Sequence, residues 1–577
     1  MAHHYLQSST GSLETKTPED KVSSQGDGPV DKTHGVSSEV CQDIGSLIRF
    51  TNGAVKQKTA SHWSPNKHQV LIMFALSIIS FMVALDACII VTSLNAIVLD
   101  LGLDTTTAFW IGTSYLLSNA VTMPFTAELS NIFGRPVVLL ASLAFFTGGT
   151  LLCCLARSVA VLLAGRCLQG IGGGGILVLS LIIFTDMVPL RWRPKWYGSV
   201  LGAWALGNCL GPVAGGLIAQ NTSWRWVFYL MFPFCFVGTA LVLWLLKFRA
   251  PPATASQKMQ RVDWRGGALF ISSATSFLVA VSWGGSQFSW TSPQTLVPLC
   301  LGALGLAGTF FYEAKYAKRP FLRRSLFWNV SSIATYTCGL IQGLVIYGQL
   351  YYIPFYFQSV KGYGGVITGV AILPVMITLV PSSIATGAVV TKTGRYRWPI
   401  WLGWVLVTAS SGLTMIFDRA TPIAAWVFIL IALGFGHGAV LNAQNFAAQA
   451  MCMSGREGHA AAMYAFLRQF GMTLGVGIGG TIFQNIMSIK LRSQGLSTDI
   501  ALHSEEFLVE LAKLPAHSVL KDQVLDAYVY GLSGVYLFFT CVSAIAFLLS
   551  FLIREFEMHE EVQTEHILQR VSLFELS

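Results

Sequence analysis

The sequence predicts an all-α integral membrane protein of fourteen transmembrane helices, arranged as two six-helix bundles with two further helices inserted between them. Three observations carry this expectation: an apolar composition, fourteen apolar runs of membrane-crossing length, and one phrase written twice, 264 residues apart. Hydrophobic residues make up 53% of the chain and charged residues 11%, against roughly 25% charged in soluble domains. A chain with so little polar surface reads as one whose solvent is lipid.

Taken in order, residues 1–64 are rich in Ser, Thr, Gly and charge and lack the pattern of a cleavable signal peptide. They are expected to form a disordered cytoplasmic tail, because so few apolar side chains cannot offset the entropy of ordering. Runs of about 20 apolar residues suffice to span a bilayer. They fall near 69–98, 106–127, 137–156, 159–187, 196–219 and 224–246, then 266–284 and 294–312, then 332–357, 364–390, 398–417, 422–448, 460–487 and 528–553. The expected units are therefore an N-terminal bundle at 65–250, two inserted helices with their loops at 251–325, a C-terminal bundle at 326–555, and a cytoplasmic tail at 556–577. The segment 488–527, containing SEEFLVELAKLP, is expected to be a long outer loop with a short amphipathic helix.

With the N-terminus inside, the short inner loops hold eighteen Lys and Arg residues, Lys247, Arg249, Lys318 and Arg319 among them, and the short outer loops hold four, Arg157, Arg225, Lys361 and Arg419. Basic residues favour the inner side, so this orientation is expected. Membrane topology then accounts for the net charge of +9 without a nucleic-acid partner. Ten of the eleven cysteines lie in or near the runs, with neither metal-ligand nor disulfide spacing; no metal or cofactor is expected.

The repeated phrase is G-x-x-L-G-x-x-x-G-G-x-I-x-Q-N, beginning at Gly207 and again at Gly471. The same offset aligns Gly170, Gly172 and Gly174 with Gly434, Gly436 and Gly438, and Gly134-Arg135 aligns with Gly394-Arg395 at an offset of 260. Runs one to six and nine to fourteen are thus expected to be parallel copies. Parallel repeats about an axis normal to the membrane, with a substrate path between them, are a transporter architecture. Gly207, Gly211 and Gly215 lie four residues apart on one helix face, which allows close helix approach, and Pro212 removes a helix hydrogen bond. The duplication suggests that the two fifth helices need close, smooth contact as the halves rock.

These residues resemble the fungal form of the fourteen-span drug:proton antiporter subfamily of the major facilitator superfamily, over about residues 69–555. LDACIIVTSLNAI from Leu85 is similar to the subfamily's first-span motif, LLAGRCLQGIGGGG from Leu162 to the fourth-span motif with its arginine, and LGPVAGG from Leu210 to the antiporter motif, here Gly207, Gly211, Pro212, Gly215 and Gly216. WRWVFYLMFP from Trp224, YYIPFYFQSVKG from Tyr351 and FLRQFGMTLGVGIGGTIFQN from Phe466 fit as well. The resemblance implies a major facilitator fold and proton-coupled export. The chain departs from it between the second and third runs, where AELSNIFGRP keeps Gly134 and Arg135 of the family's loop motif but has Ala127, Asn131, Ile132 and Pro136 at four other positions. Asn95 and Met231 depart as well, from a proline and an asparagine. The resemblance implies an inner gate fixed by ion pairing of the family's aspartate at this position. Asn131 can cap a helix end there but supplies no charge, so Glu128 one turn earlier is the expected substitute and Asp186 at the inner end of the fourth run a second partner for Arg135.

Ionisable residues near a bilayer centre cost about 2.5 to 3.5 kcal/mol on insertion scales and so call for a reason. Asp86 lies about 18 Å, and Arg166 about 12 Å, below the outer ends of their runs at about 1.5 Å per residue, so the two are expected to meet. The resemblance favours Asp86 as the carrier of the driving proton, with burial and Arg166 acting on it in opposite senses; the alternative is a permanently ionised pair that fixes helix register. Arg468, near the inner end of its run, reads equally as a residue reaching the interface or as one lining a cavity. Gln169, Asn208, Gln342, Gln349, Tyr352, His437, Asn442, Asn445 and Gln469 are expected to line a cavity without fixed charge, suited to small amphipathic, largely neutral organic molecules. The chain has no H-E-x-x-H or G-x-S-x-G sequence, so an enzyme is not expected. The expected activity is proton-coupled efflux of drugs, toxins or secondary metabolites by a monomer in the plasma membrane. The alternatives are the vacuolar membrane, a siderophore or basic amino-acid transporter, and a transporter-like sensor.

Overall fold

The computed structural model describes residues 63–558 except 103–104, 247–253, 286, 318–319, 454 and 516–517. Residues 1–62 and 559–577 of the expected tails, and Lys247, Arg249, Lys318 and Arg319, lie outside the described residues. Fourteen long helices follow in the expected order. The first six are α1 (Lys67–Leu101), α2 (Thr105–Phe133), α3 (Arg135–Cys154), α4 (Val159–Met187), α5 (Gly198–Asn221) and α6 (Met231–Leu245). The inserted pair is α7 (Trp264–Trp283) and α8 (Pro293–Lys315). The last six are α9 (Val330–Ser359), α10 (Gly365–Thr393), α11 (Arg397–Leu413), α12 (Ile423–Ala450), α13 (Glu457–Ser493) and α14 (Val519–Ser550). A short helix at Ser504–Lys513 occupies the amphipathic stretch before α14.

Thirteen helices among the described residues are long and apolar enough to cross a membrane, and these are all but α2. Helix α2 has the length, 29 residues, but spends part of its apolar character on Thr113, Ser114, Asn119 and Thr126, all buried. It can do so because it packs between α4 and α13, where neighbouring helices rather than lipid surround these side chains. The opposite case is α8, whose Leu301 and Leu304 are 63% and 71% exposed, a face fit for hydrocarbon.

The repeat is visible in what each glycine touches. Gly170 and Gly174 press on the α2 backbone at Tyr115 and Asn119, while Gly172 presses on α3 at Ser142 and Phe146. Their counterparts Gly434 and Gly438 press on α10 at Val375 and Leu379, and Gly436 on α11 at Val407. The turns agree too. A single residue, Gly134 at φ 102°, joins α2 to α3, and Gly394 at φ 71° ends α10; both angles lie where a side chain is strained.

The fifth-helix glycines have a different role from the one expected. Gly207, Gly211 and Gly215 face α1 within their own half, a Cβ on Gly207 lying 2.5 Å from the Phe81 carbonyl oxygen. Gly471 and Gly475 face the α9 carbonyls of Leu340 and Leu344, and Gly479 the Tyr352 ring. The duplicated phrase therefore seals α1 to α5 and α9 to α13, each inside one half. Contact across the halves uses other faces: Pro212, Val213 and Gly216 of α5 approach Gly369 and Val366 of α10, and α2 packs on α13. Aromatic side chains of α7 cover the α2–α13 seam, with Trp283 edge-on to Trp110 and Phe270 edge-on to Phe466. Gly215→Val is expected to destabilise the protein by about 1 to 3 kcal/mol through overpacking against Ile89 and Thr92. Gly308→Ala, which meets nothing within 4 Å, should leave the melting temperature in detergent unchanged, and the two are compared in that assay.

Candidate functional site

Four helices of the N-terminal half, α1 to α4, meet around Asp86. Arg166 Nη1 of α4 donates to Asp86 Oδ2 at 2.8 Å, and Gln169 Nε2 donates to Asp86 Oδ1 at 3.2 Å. Gln169 is held by Arg166 Nη1 at 2.9 Å and by its own donation to Thr150 Oγ1 of α3 at 2.9 Å. Arg166 Nε donates to the Ile111 carbonyl of α2 at 3.0 Å, and its guanidinium lies 4.3 Å from the Tyr115 ring centroid. Asp86, Arg166 and Gln169 are all 0% exposed. Truncating one partner of such a pair leaves a bare charge in the interior.

The C-terminal half builds a junction from its own first, third and fourth helices, with different groups. Gln349 of α9 donates to Ser411 Oγ of α11 at 2.7 Å, and His437 Nε2 of α12 lies 3.3 Å from Gln349 Oε1. By the 264 offset, Leu350 stands opposite Asp86 and Leu430 opposite Arg166.

A second cluster joins the halves at the end carrying Lys67, the inner end in the orientation that the basic residues imply. Arg135 Nε pairs with Asp186 Oδ2 at 3.0 Å, and Arg135 Nη1 donates to Asn131 Oδ1 at 2.5 Å. Asn131 Nδ2 donates to Glu128 Oε2 at 2.9 Å. Both meet His459 of α13, whose Nε2 lies 2.9 Å from Asn131 Nδ2 and 3.4 Å from Glu128 Oε2. Glu128 is also 3.9 Å from Arg323. Beside it, the buried Arg193 donates to the carbonyls of Val188 and Thr185 at 2.7 Å each, to Gln449 Oε1 of α12 at 3.0 Å, and lies 3.8 Å from Glu457 of α13. His459→Ala is expected to loosen this inner closure by about 1 kcal/mol, one hydrogen bond's worth. The readout is the labelling rate of Ala465→Cys, a cavity-lining position, in a background lacking the exposed Cys300 and Cys541; it should rise about fivefold.

Above this closure lies a cavity of about 60 Å3 between the halves. It has room for a few waters. Of the nine side chains expected to line a cavity, Asn445 and Gln469 do so. The other seven serve helix contacts: Gln169, Gln349 and His437 as above; Asn208 accepts from Cys88 Sγ at 3.0 Å, Gln342 accepts from Arg468 Nε at 3.0 Å, and Tyr352 donates to the Val476 carbonyl at 2.9 Å. Asn442 ties the halves by donating to the Pro194 carbonyl at 3.2 Å and the Ser383 carbonyl at 2.9 Å. The expectation of a cavity without fixed charge is corrected, because Arg468 lines it together with Trp204, Tyr197 and Tyr464. Its guanidinium turns inward over the Trp204 ring, 5.1 Å from the centroid, instead of reaching the interface.

Sequence reasoning missed His459, Glu457, Gln449, Tyr115, Thr150 and Ser411. Each is a single polar residue on a helix, and no spacing marks which neighbour it will meet.

Residues 76–476 match the Major Facilitator Superfamily. MFS transporter L2 of Phoma sp. is 38% identical over 522 residues, covering 90% of this chain and 87% of that protein. Efflux pump FUS6 of Gibberella moniliformis is 35% identical over 519 residues, covering 88% and 90%, and MFS-type efflux pump LUC4 of Fusarium sp. is 34% identical over 527, covering 89% and 92%. Among solved structures, the human organic anion transporter MFSD10 superposes with a TM-score of 0.55 at 13% identity, over 84% of this chain and all of that one. The proton:xylose symporter XylE does so with 0.52 at 14%, over 85% and 98%; these two likenesses concern the fold alone. A match over most of its length, with the fungal efflux pumps as relatives, establishes that the chain belongs to the Major Facilitator Superfamily and is a multi-pass membrane transporter, not an enzyme.

Proposed function

We propose that the protein exports small amphipathic organic compounds, toxins or secondary metabolites, across the plasma membrane in exchange for protons, working as a monomer whose two six-helix halves rock about the cavity. The observation that carries this reading is the fully enclosed Asp86–Arg166 pair at a junction of α1 and α4. With Asp86 ionised, the pair and Gln169 clamp α1 to α4. A proton on Asp86 removes the Coulomb attraction and one acceptor, so the clamp loosens and the energy of the half changes with protonation. Proton binding thereby biases one of two conformations, which is what coupling requires. The inner cluster of Arg135, Asn131, Glu128, Asp186 and His459 acts as the latch that reports which side is closed. The printed names of the relatives support the outward direction of transport.

Uptake of a basic amino acid fits less well, because the charged side chain lining the cavity is itself a cation. A sensor that binds without moving its ligand is separated by flux. The test loads cells with a panel of fungal toxins and compares retention with and without the protein. Lower retention of at least one compound is expected, restored by a protonophore. Unaltered retention across the panel contradicts export, and retention indifferent to the protonophore contradicts proton coupling.

A further inference from the structure

Arg468 is a largely enclosed cation in the cavity wall. Its Nε is used by Gln342, but its Nη2 is buried and makes no hydrogen bond. Among the described residues no carboxylate pairs with it, whereas Arg135, Arg166 and Arg193 each face an acid. A second buried donor beside it is unused: the hydroxyl of Tyr464, a lining residue 2% exposed. Both groups can donate. An enclosed guanidinium without a counter-charge is costly, and two idle donors with one positive charge match the oxygens of a carboxylate. Trp204, over which the guanidinium lies, and Tyr197 belong to the other half, flat surfaces beside the cation for an aromatic or polyene body.

We propose that Arg468, with Tyr464, is an anion-anchoring subsite, and that the transported compounds are organic acids: an apolar, unsaturated body bearing a carboxylate or similarly acidic oxygen. This deepens the export reading and rests on it for the word "transported". It departs from the sequence-based expectation of largely neutral substrates. Because the acid binds α13 while its body rests on α5, one ligand holds both halves and is released when they separate. The cavity volume is about 60 Å3, so the halves must part to admit such a body, and the anion then gives Arg468 a counter-charge.

The test is equilibrium binding to the purified full chain in lipid nanodiscs at neutral pH, using radiolabelled naphthoic acid and its isosteric amide, naphthamide. The acid is expected to bind at least about tenfold more tightly, the scale of one charged hydrogen bond. Arg468→Gln should erase the preference, Arg468→Lys should keep part of it, and Tyr464→Phe should narrow it several-fold. Equal affinity for acid and amide, failure of the acid to bind, or a preference that survives Arg468→Gln overturns the proposal. Should Arg468→Gln not elute as a single species, an unchanged preference in both Arg468→Lys and Tyr464→Phe overturns it instead. Binding is read without any gradient, so a failure here leaves the retention result standing, and a failure of export leaves this result standing.

Discussion

Asp86→Asn is expected to abolish gradient-driven export while leaving a folded protein that still equilibrates its substrate downhill. The amide is isosteric and keeps an acceptor for Arg166 Nη1, while its NH2 replaces the oxygen that Gln169 Nε2 meets, so the junction of α1, α3 and α4 retains its shape at the loss of one hydrogen bond. What it lacks is a second protonation state. A group that cannot exchange a proton offers no differential free energy between the two conformations, and without that difference no gradient biases the cycle. Accumulation against a concentration difference, measured in sealed inside-out vesicles under an imposed pH gradient, should fall by at least about tenfold, which corresponds to about 1.4 kcal/mol of lost bias. Exchange of labelled for unlabelled substrate with no gradient should persist within a few-fold of the parent.

Arg166→Met carries the largest expected cost in stability. It removes the partner of Asp86, the donor to the Ile111 carbonyl and the cation resting on Tyr115 in a single change. A buried carboxylate left alone costs about 3 to 5 kcal/mol, enough to unfold many proteins of ordinary stability. Adding Asp86→Asn to Arg166→Met should recover part of that loss, because the bare charge is gone. The recovery, read as the non-additive term of a double-mutant cycle on melting temperature in detergent, separates a charge effect from a packing effect. Equal losses for the single and double variants would mean that Arg166 acts through its bulk. Neither variant should support proton-driven export.

Much of this architecture can be read from the chain because lipid imposes a simple rule on sequence: whatever faces hydrocarbon must be apolar for about 20 residues. The glycine frames are legible for a related reason, since a backbone that must approach another within a few ångströms tolerates no side chain. That is why Gly170, Gly172 and Gly174 and their copies 264 residues later each touch the equivalent helix. The same reasoning does not name the neighbour on which Gly207, Gly211 and Gly215 press, because a small-residue face says that a helix is close without saying which. Helix α2 is less apolar than its neighbours for the converse reason, being shielded from lipid by other helices. Arg468 was ambiguous at the sequence level because its distance from the helix end fits either an interfacial or an inward side chain; the direction is set by Gln342 and Trp204, far away in the chain. His459 gave no signal at all. Its partners Glu128 and Asn131 lie more than three hundred residues earlier, and nothing local to either segment specifies the meeting. Asp86 and Arg166 stood out because charges are scarce in apolar runs, so depth alone suggested that they meet.

Proton-coupled export requires that a proton move through Asp86 each time substrate crosses. Purified protein reconstituted in liposomes containing a pH-sensitive dye tests it most directly. Adding an exported compound on the side from which it is taken up should move protons the opposite way, in proportion to the compound transported, and Asp86→Asn should transport without any such proton signal. Compound crossing the wild-type membrane with no accompanying pH change, or an undiminished proton signal from Asp86→Asn, would contradict it.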